Sequence, residues 1–177
     1  MLARMRALDP FKADLLLAAV FLVEANIELA VLVPADAPHR WGAELLILVA
    51  AFTLAIRRRW PSIAALLGVP VQAVAQLLGD AYVDHLVSPF FVILIVLYGI
   101  GRHTEGWKVP ALSAYSVAAF WVSLAVDNVH DTVADYVLIA VLLVGAPVLI
   151  GRVLRHRAGL NQALLAKRER LDRKAHV

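Results

Sequence analysis

A chain of 177 residues that is 62% hydrophobic and only 18% charged departs from a soluble domain, in which about a quarter of residues are charged. The net charge of +3 is modest, but the charges are segregated and leave long apolar runs between them. Cysteine is absent, which excludes disulfides and thiolate metal sites.

A membrane-crossing helix needs about 20 mostly apolar residues. Six segments approach that length: 13–33, 41–56, 61–79, 86–101, 109–126 and 134–152. The first run, Ala13 to Val33, is too long for a signal-peptide core and has no small-residue cleavage site before Pro34, so it reads as a retained span. It carries Glu24 and Glu28, four apart and therefore on one face, with Asn26 between them. A carboxyl at the bilayer centre costs about 2.5–3.5 kcal/mol unless it faces protein or water. The pair therefore marks either hydrogen-bonded packing polarity or a ligand or proton site. The second segment, which opens near Glu44, and the fourth are short enough for their ends to run into the interface.

The third segment bears a polar stripe, Gln72, Gln76 and Asp80, and is interrupted by Pro70. The fifth bears a weaker one, Ser116, Ser123 and Asp127. Hydrogen bonding between helices accounts for the glutamines and serines. With their faces turned inward, these stripes would join Glu24, Glu28 and Glu44 in one acidic cavity. In the sixth segment Gly145-Ala146-Pro147 breaks the helical ladder, as a hinge or as a static packing kink.

The connections are short and polar, so neighbours in sequence form three antiparallel hairpins. With the N-terminus inside, 16 of the 17 Lys and Arg residues lie on the inner side and only Arg40 lies outside. Trp60 and Trp107 mark the same inner boundary, with Pro61 and Pro110 near helix starts, where a missing N–H costs little. Nine acids, Glu24, Glu28, Asp36, Glu44, Asp80, Asp84, Asp127, Asp131 and Asp135, occupy the middle or outer half, which should favour cations. Each outer loop also pairs histidine with aspartate: Asp36 with His39, Asp84 with His85, and Asp127 with His130 and Asp131. These are solvated loop residues, a divalent-metal site if the loops meet, or a pH-dependent contact.

After Gly151 the chain becomes rich in Arg, Lys, Leu and Ala and reads as a soluble helix continuing the sixth span. The expected organisation is an all-α, multi-pass membrane domain over 1–152, followed by a linker or coiled-coil helix over 153–177. Both termini are cytoplasmic in this reading of the plasma membrane. Leu160, Leu164 and Leu171 fit a coiled-coil seam, while Lys167 and Lys174 fill other seam positions. The charged helix runs to the last residue without a cap, as in a piece of a longer protein.

Several stretches carry a family resemblance. Leu149-Ile150-Gly151-Arg152, Leu160-Asn161-Gln162-Ala163-Leu164 and Arg168-Glu169-Arg170-Leu171-Asp172-Arg173 resemble the exit helix and signalling linker of two-component sensor histidine kinases of the actinobacterial type. Leu97-Tyr98-Gly99-Ile100-Gly101-Arg102-His103 resembles the end of the fourth helix in their membrane regions, and Arg57-Arg58-Arg59-Trp60-Pro61 the basic turn between the second and third. The resemblance implies a homodimeric sensor feeding a phosphoacceptor helix, an ATP- and Mg-dependent kinase core and a cytoplasmic response regulator. No His-Asp phosphoacceptor box and no glycine-rich nucleotide box is present in these residues, so this chain itself needs no cofactor and holds no catalytic residues. The expected partners are the lipid bilayer and a second copy, not nucleic acid. A small six-helix transporter or channel using Glu24 and Glu28 is the alternative, although no inverted repeat is visible. A membrane enzyme would need a motif such as His-Glu-x-x-His, which is missing.

Overall fold

The computed structural model describes residues 9–83, 86–126, 132, 134, 137–138 and 140–175, and all its regular structure is helical. In chain order the elements are α1 (Pro10–Val31), α2 (Arg40–Ile56), α3 (Pro61–Gly68), α4 (Val71–Leu78), α5 (Asp80–Val83), α6 (Ser88–His103) and α7 (Lys108–Val126). A π-helical stretch, Ala140–Gly145, then leads directly into α8, Ala146–Ala175. The apolar runs expected to be helical are helical over most of their described length, but the run 61–79 is broken at Val69-Pro70, and 32–33 and 86–87 lie outside the helices.

The breaks have local causes. Asp9 Oδ1 accepts the Phe11 N–H at 3.1 Å and starts α1, with Pro10 at its first position. Pro61 stands at the first position of α3 and Pro89 in the first turn of α6, where a missing N–H costs little. Pro70 separates α3 from α4, because it cannot donate to the Leu66 carbonyl one turn back. The Tyr115 hydroxyl of α7 donates to that carbonyl at 3.0 Å, so the break is satisfied from a neighbouring helix. Pro147 has the same defect with respect to Leu143, and the ladder widens into the π stretch just before it.

α6 is the axis of the bundle. Ile93, Leu97 and Ile100 on it are wholly buried, and α1, α2, α3, α4, α7 and α8 all touch it. Its largest contact is with α8. There Gly101 and Gly151 face each other's helix: a Cβ at Gly101 would collide with the Val148 carbonyl, and one at Gly151 with the Tyr98 carbonyl. Only glycines permit backbones to pass this closely.

The surface of the bundle is unusually apolar. On α1, Leu15, Leu16, Val20, Val23, Ile27 and Val31 are exposed, while Ala18 and Ala25 are buried against neighbours. Leu45, Leu48 and Phe52 on α2, Phe91 on α6, Trp121 and Val122 on α7, and Leu149 and Ile150 on α8 are exposed as well. Two helical stretches, Pro61–Leu78 and Lys108–Ala125, are long and apolar enough to cross a membrane, and Ser88–His103 is a shorter apolar helix. α1 carries Lys12, Asp14, Glu24 and Glu28, and α2 has only 17 residues, which leaves both short of that standard.

Candidate functional site

At the end of the bundle where α1 finishes, the expected acidic residues serve different neighbours. Glu28 is part-buried, and its Oε2 accepts both the Ser88 N–H at 3.1 Å and the Ser88 hydroxyl at 2.7 Å. A carboxylate there satisfies an orphan donor of the first turn of α6 and opposes the positive end of its dipole. Glu24 lies one turn below, within range of Glu28 and Ser88, but on the exposed flank of α1. Asn26 bonds back to the Leu22 carbonyl at 2.7 Å on its own helix and does not enter the interior. Glu44 is exposed.

Gln76 and Ser123 do meet. The serine hydroxyl donates to Gln76 Oε1 at 2.5 Å and links α4 to α7, as hydrogen bonding between polar stripes requires. Ser116 instead bonds the Leu112 carbonyl within α7. The side chain of Asp80, and residues Asp84, His85, Asp127, His130 and Asp131, lie outside the described residues. His39 is exposed, with a left-handed φ of 60°, at the start of α2. Among the described residues no three His, Asp or Glu side chains come together as metal ligands.

Arg40, the one basic residue assigned to this side, has a structural task. Its guanidinium donates to the Leu29, Val33 and Pro34 carbonyls at 3.1, 3.3 and 3.2 Å. It thereby caps the C-terminal end of α1, whose last carbonyls lack helical partners.

The opposite end holds a cluster that sequence reasoning missed. Asp14, 1% exposed on the first turns of α1, receives Arg57 Nη2 on Oδ1 at 2.8 Å and Arg58 Nε on Oδ2 at 2.8 Å. Both carboxylate oxygens are thus committed to arginines of the α2–α3 turn. Beside them His103 ends α6. Burial, followed by the positive charges of Arg58, Arg102 and Arg57, lowers its pKa below the ordinary 6.5, with Asp14 opposing. Arg59 stacks over Trp60 at 5.2 Å. Arg155, on the part of α8 that leaves the bundle, donates to the Thr104 carbonyl at 2.7 Å and pairs with Glu105. The α6–α7 turn is therefore tied to α8.

The proposed hinge residues Gly145 and Pro147 fall at the junction of the π stretch and α8. Among the described residues, a Cβ at Gly145 would meet no neighbouring atom, so no close packing seen there requires this glycine. From there α8 runs for 30 residues; Val148 and Gly151 are buried on α6, and Leu160, Leu164 and Leu171 are exposed. The chain matches no family model, no curated protein and no solved structure.

Proposed function

We propose that this chain is the membrane sensor and transmission module of a two-component histidine kinase, with six transmembrane helices, both termini cytoplasmic, and a kinase core lying outside these residues. Support for immersion comes from the surface: large aliphatic side chains are exposed along α1, α2, α3 and the start of α8, while alanines such as Ala18, Ala25, Ala50, Ala64 and Ala65 are buried at contacts beside the larger core residues. That arrangement suits lipid as solvent, in which close backbone approach rather than apolar burial drives packing. Support for orientation comes from the gathering of Arg57–Arg59, Trp60, Arg102, His103 and Lys108 at one end, to which Arg155 is tied through Thr104 and Glu105.

The observation that carries the transmission role is α8. One unbroken helix begins at a π-helical defect, bears on the central α6 through two glycines, and extends past the bundle with an exposed Leu160, Leu164, Leu171 edge. A second copy would cover that edge in a parallel dimer. Movement at the membrane end would then arrive at the far end as a shift or rotation of α8. The stimulus in this reading is cationic (a divalent metal ion, a cationic peptide or hydronium) and acts on the acid-rich end around Glu24, Glu28, Glu44, Gln76, Asp80 and Asp127. The transporter alternative gains little, since Glu28 is occupied by Ser88 and Glu24 faces outward.

The test is a fusion of Val177 to the phosphoacceptor helix of a histidine kinase of known register, assayed for autophosphorylation in membranes. Inserting one to seven alanines at the junction should make activity rise and fall with the helical period. Activity indifferent to insertion length would sink the transmission role.

A further inference from the structure

We propose that the basic end of the bundle is a binding site for a phosphate group, seated between Arg57, Arg58, Tyr98, Arg102 and His103. A cavity of about 240 Å³ opens there, lined by these five residues and Gly99. At about 30 Å³ per liquid water, that is room for several waters or one tetrahedral oxyanion with its hydration. Gly99 is buried, yet a Cβ added to it would meet no atom within 4 Å, so the free space is independently visible from the α6 backbone.

The charge of the lining is unbalanced. Three guanidinium groups line the cavity, and Asp14 spends its two oxygens on Arg57 and Arg58. Arg102 is left over, and its Nη1 is buried without a hydrogen-bond partner among the described residues. A buried donor of a charged group that lacks an acceptor is costly and calls for an absent one. Guanidinium forks match phosphate oxygens in a bidentate manner, which a chloride ion cannot exploit. Burial first, and then the positive charges of Arg58, Arg102 and Arg57, hold the pKa of His103, a further group of the lining, below its ordinary value.

Trp60 and Trp107, both well exposed, flank this end at the level where aromatic side chains meet phospholipid headgroups in the membrane reading. Basic pockets between helices on the cytoplasmic side commonly take anionic headgroups. A lipid phosphodiester and soluble phosphate share the chemistry the cavity selects, and experiment separates the two sources.

The protein in dodecyl maltoside micelles is titrated with phosphatidylglycerol, with phosphate-free galactosyl diacylglycerol, and with inorganic phosphate against chloride at equal ionic strength. Melting temperature and native mass spectrometry report binding. A response to phosphatidylglycerol alone identifies a lipid headgroup; a saturable response to inorganic phosphate identifies the soluble ion; phosphate displacing the lipid shows one shared site. Gly99→Leu fills the cavity while keeping every charge, and Arg102→Gln removes the unpaired donor. Each should weaken binding by about tenfold or more: Arg102→Gln by the worth of one charged hydrogen bond, Gly99→Leu by occupying the space the phosphate needs. Arg157→Gln, on the exposed surface of α8, should bind like wild type. The proposal is overturned if wild type answers to neither phosphate source beyond its control. It also fails if Gly99→Leu binds normally, or if Arg157→Gln loses as much as Arg102→Gln.

Discussion

Asp14 illustrates how much a single side chain in this bundle depends on partners distant in sequence. It is 1% exposed and joins two arginines, one of them 43 residues away. Asp14→Asn keeps the volume but removes the charge, leaving Arg57 and Arg58 to repel each other. We expect a loss of roughly 1.5–3 kcal/mol, the range for a hydrogen bond to a charged group, from denaturant unfolding in micelles. Arg58→Gln should cost less, because that side chain is 42% exposed and partly hydrated. Equal stability of Asp14→Asn and wild type would make the cluster ornamental. His103, beside the same cluster, is held below its ordinary pKa first by burial and then by the neighbouring arginines. Its folded pKa lies below 6.5, so between those two values the unfolded chain binds more protons and stability rises with pH. His103 thus contributes fully above pH 6.5 and loses that contribution as pH falls through the folded value. In phosphate-free buffer, wild type should destabilise on acidification below 6.5 more steeply than His103→Gln; superimposed curves would contradict the shift. Asp14 was not legible in the sequence, because nothing within α1 distinguishes a buried paired carboxylate from one at a helix entry.

Among the elements, the helices themselves were the most legible feature, since long apolar runs bounded by Pro, Gly and charge leave little choice of structure. The proline breaks were legible too, but the repair was not. That Tyr115 serves the carbonyl released by Pro70 depends on the rotation of α7 against α3, which periodicity does not encode. The same holds for the crossing of α6 and α8. Gly101 and Gly151 are 50 residues apart, and only the assembled bundle shows each backbone lying where the other's Cβ would be. Gly151→Ala cannot be relieved by a rotamer change, because the obstacle is the Tyr98 carbonyl rather than a side chain. It should cost about 1–3 kcal/mol, as overpacking does, and in the kinase fusion it should also shift basal activity by separating α8 from α6. A Gly145→Ala control has open space around its Cβ and should change stability by less than its Gly151 counterpart. If both substitutions behave alike, close approach is not what holds α8 to α6.

At the scale of the whole molecule, polarity is distributed by end rather than by inside and outside. Exposed flanks carry Leu, Val and Ile, while the polar contacts gather where helices finish: Glu28 with Ser88 and Gln76 with Ser123 at one end, Asp14 with its arginines at the other. A helix bundle in water shows the reverse, apolar within and charged along its flanks. Of the two stretches that meet the length and hydropathy standard on their own, Pro61–Leu78 packs on α2 and α6 and Lys108–Ala125 on α6; α1, α2 and α6 also carry exposed apolar flanks, but their length or charge count falls short. Charged residues at helix ends, capped or paired within the protein, remove much of the reason a charge would keep a helix out of lipid. The membrane reading therefore predicts a definite labelling pattern in a chain that contains no native cysteine. In intact cells, an impermeant thiol reagent should label a cysteine at His39, in the exposed turn before α2, and leave one at Arg58 unlabelled until the cells are opened. A cysteine at Leu48, on the exposed flank of α2, should resist the reagent in both conditions, because lipid covers it. Labelling at Arg58 in intact cells would invert the orientation. Ready labelling at Leu48 after lysis would mean that water bathes the flank and that the apolar surface serves another partner.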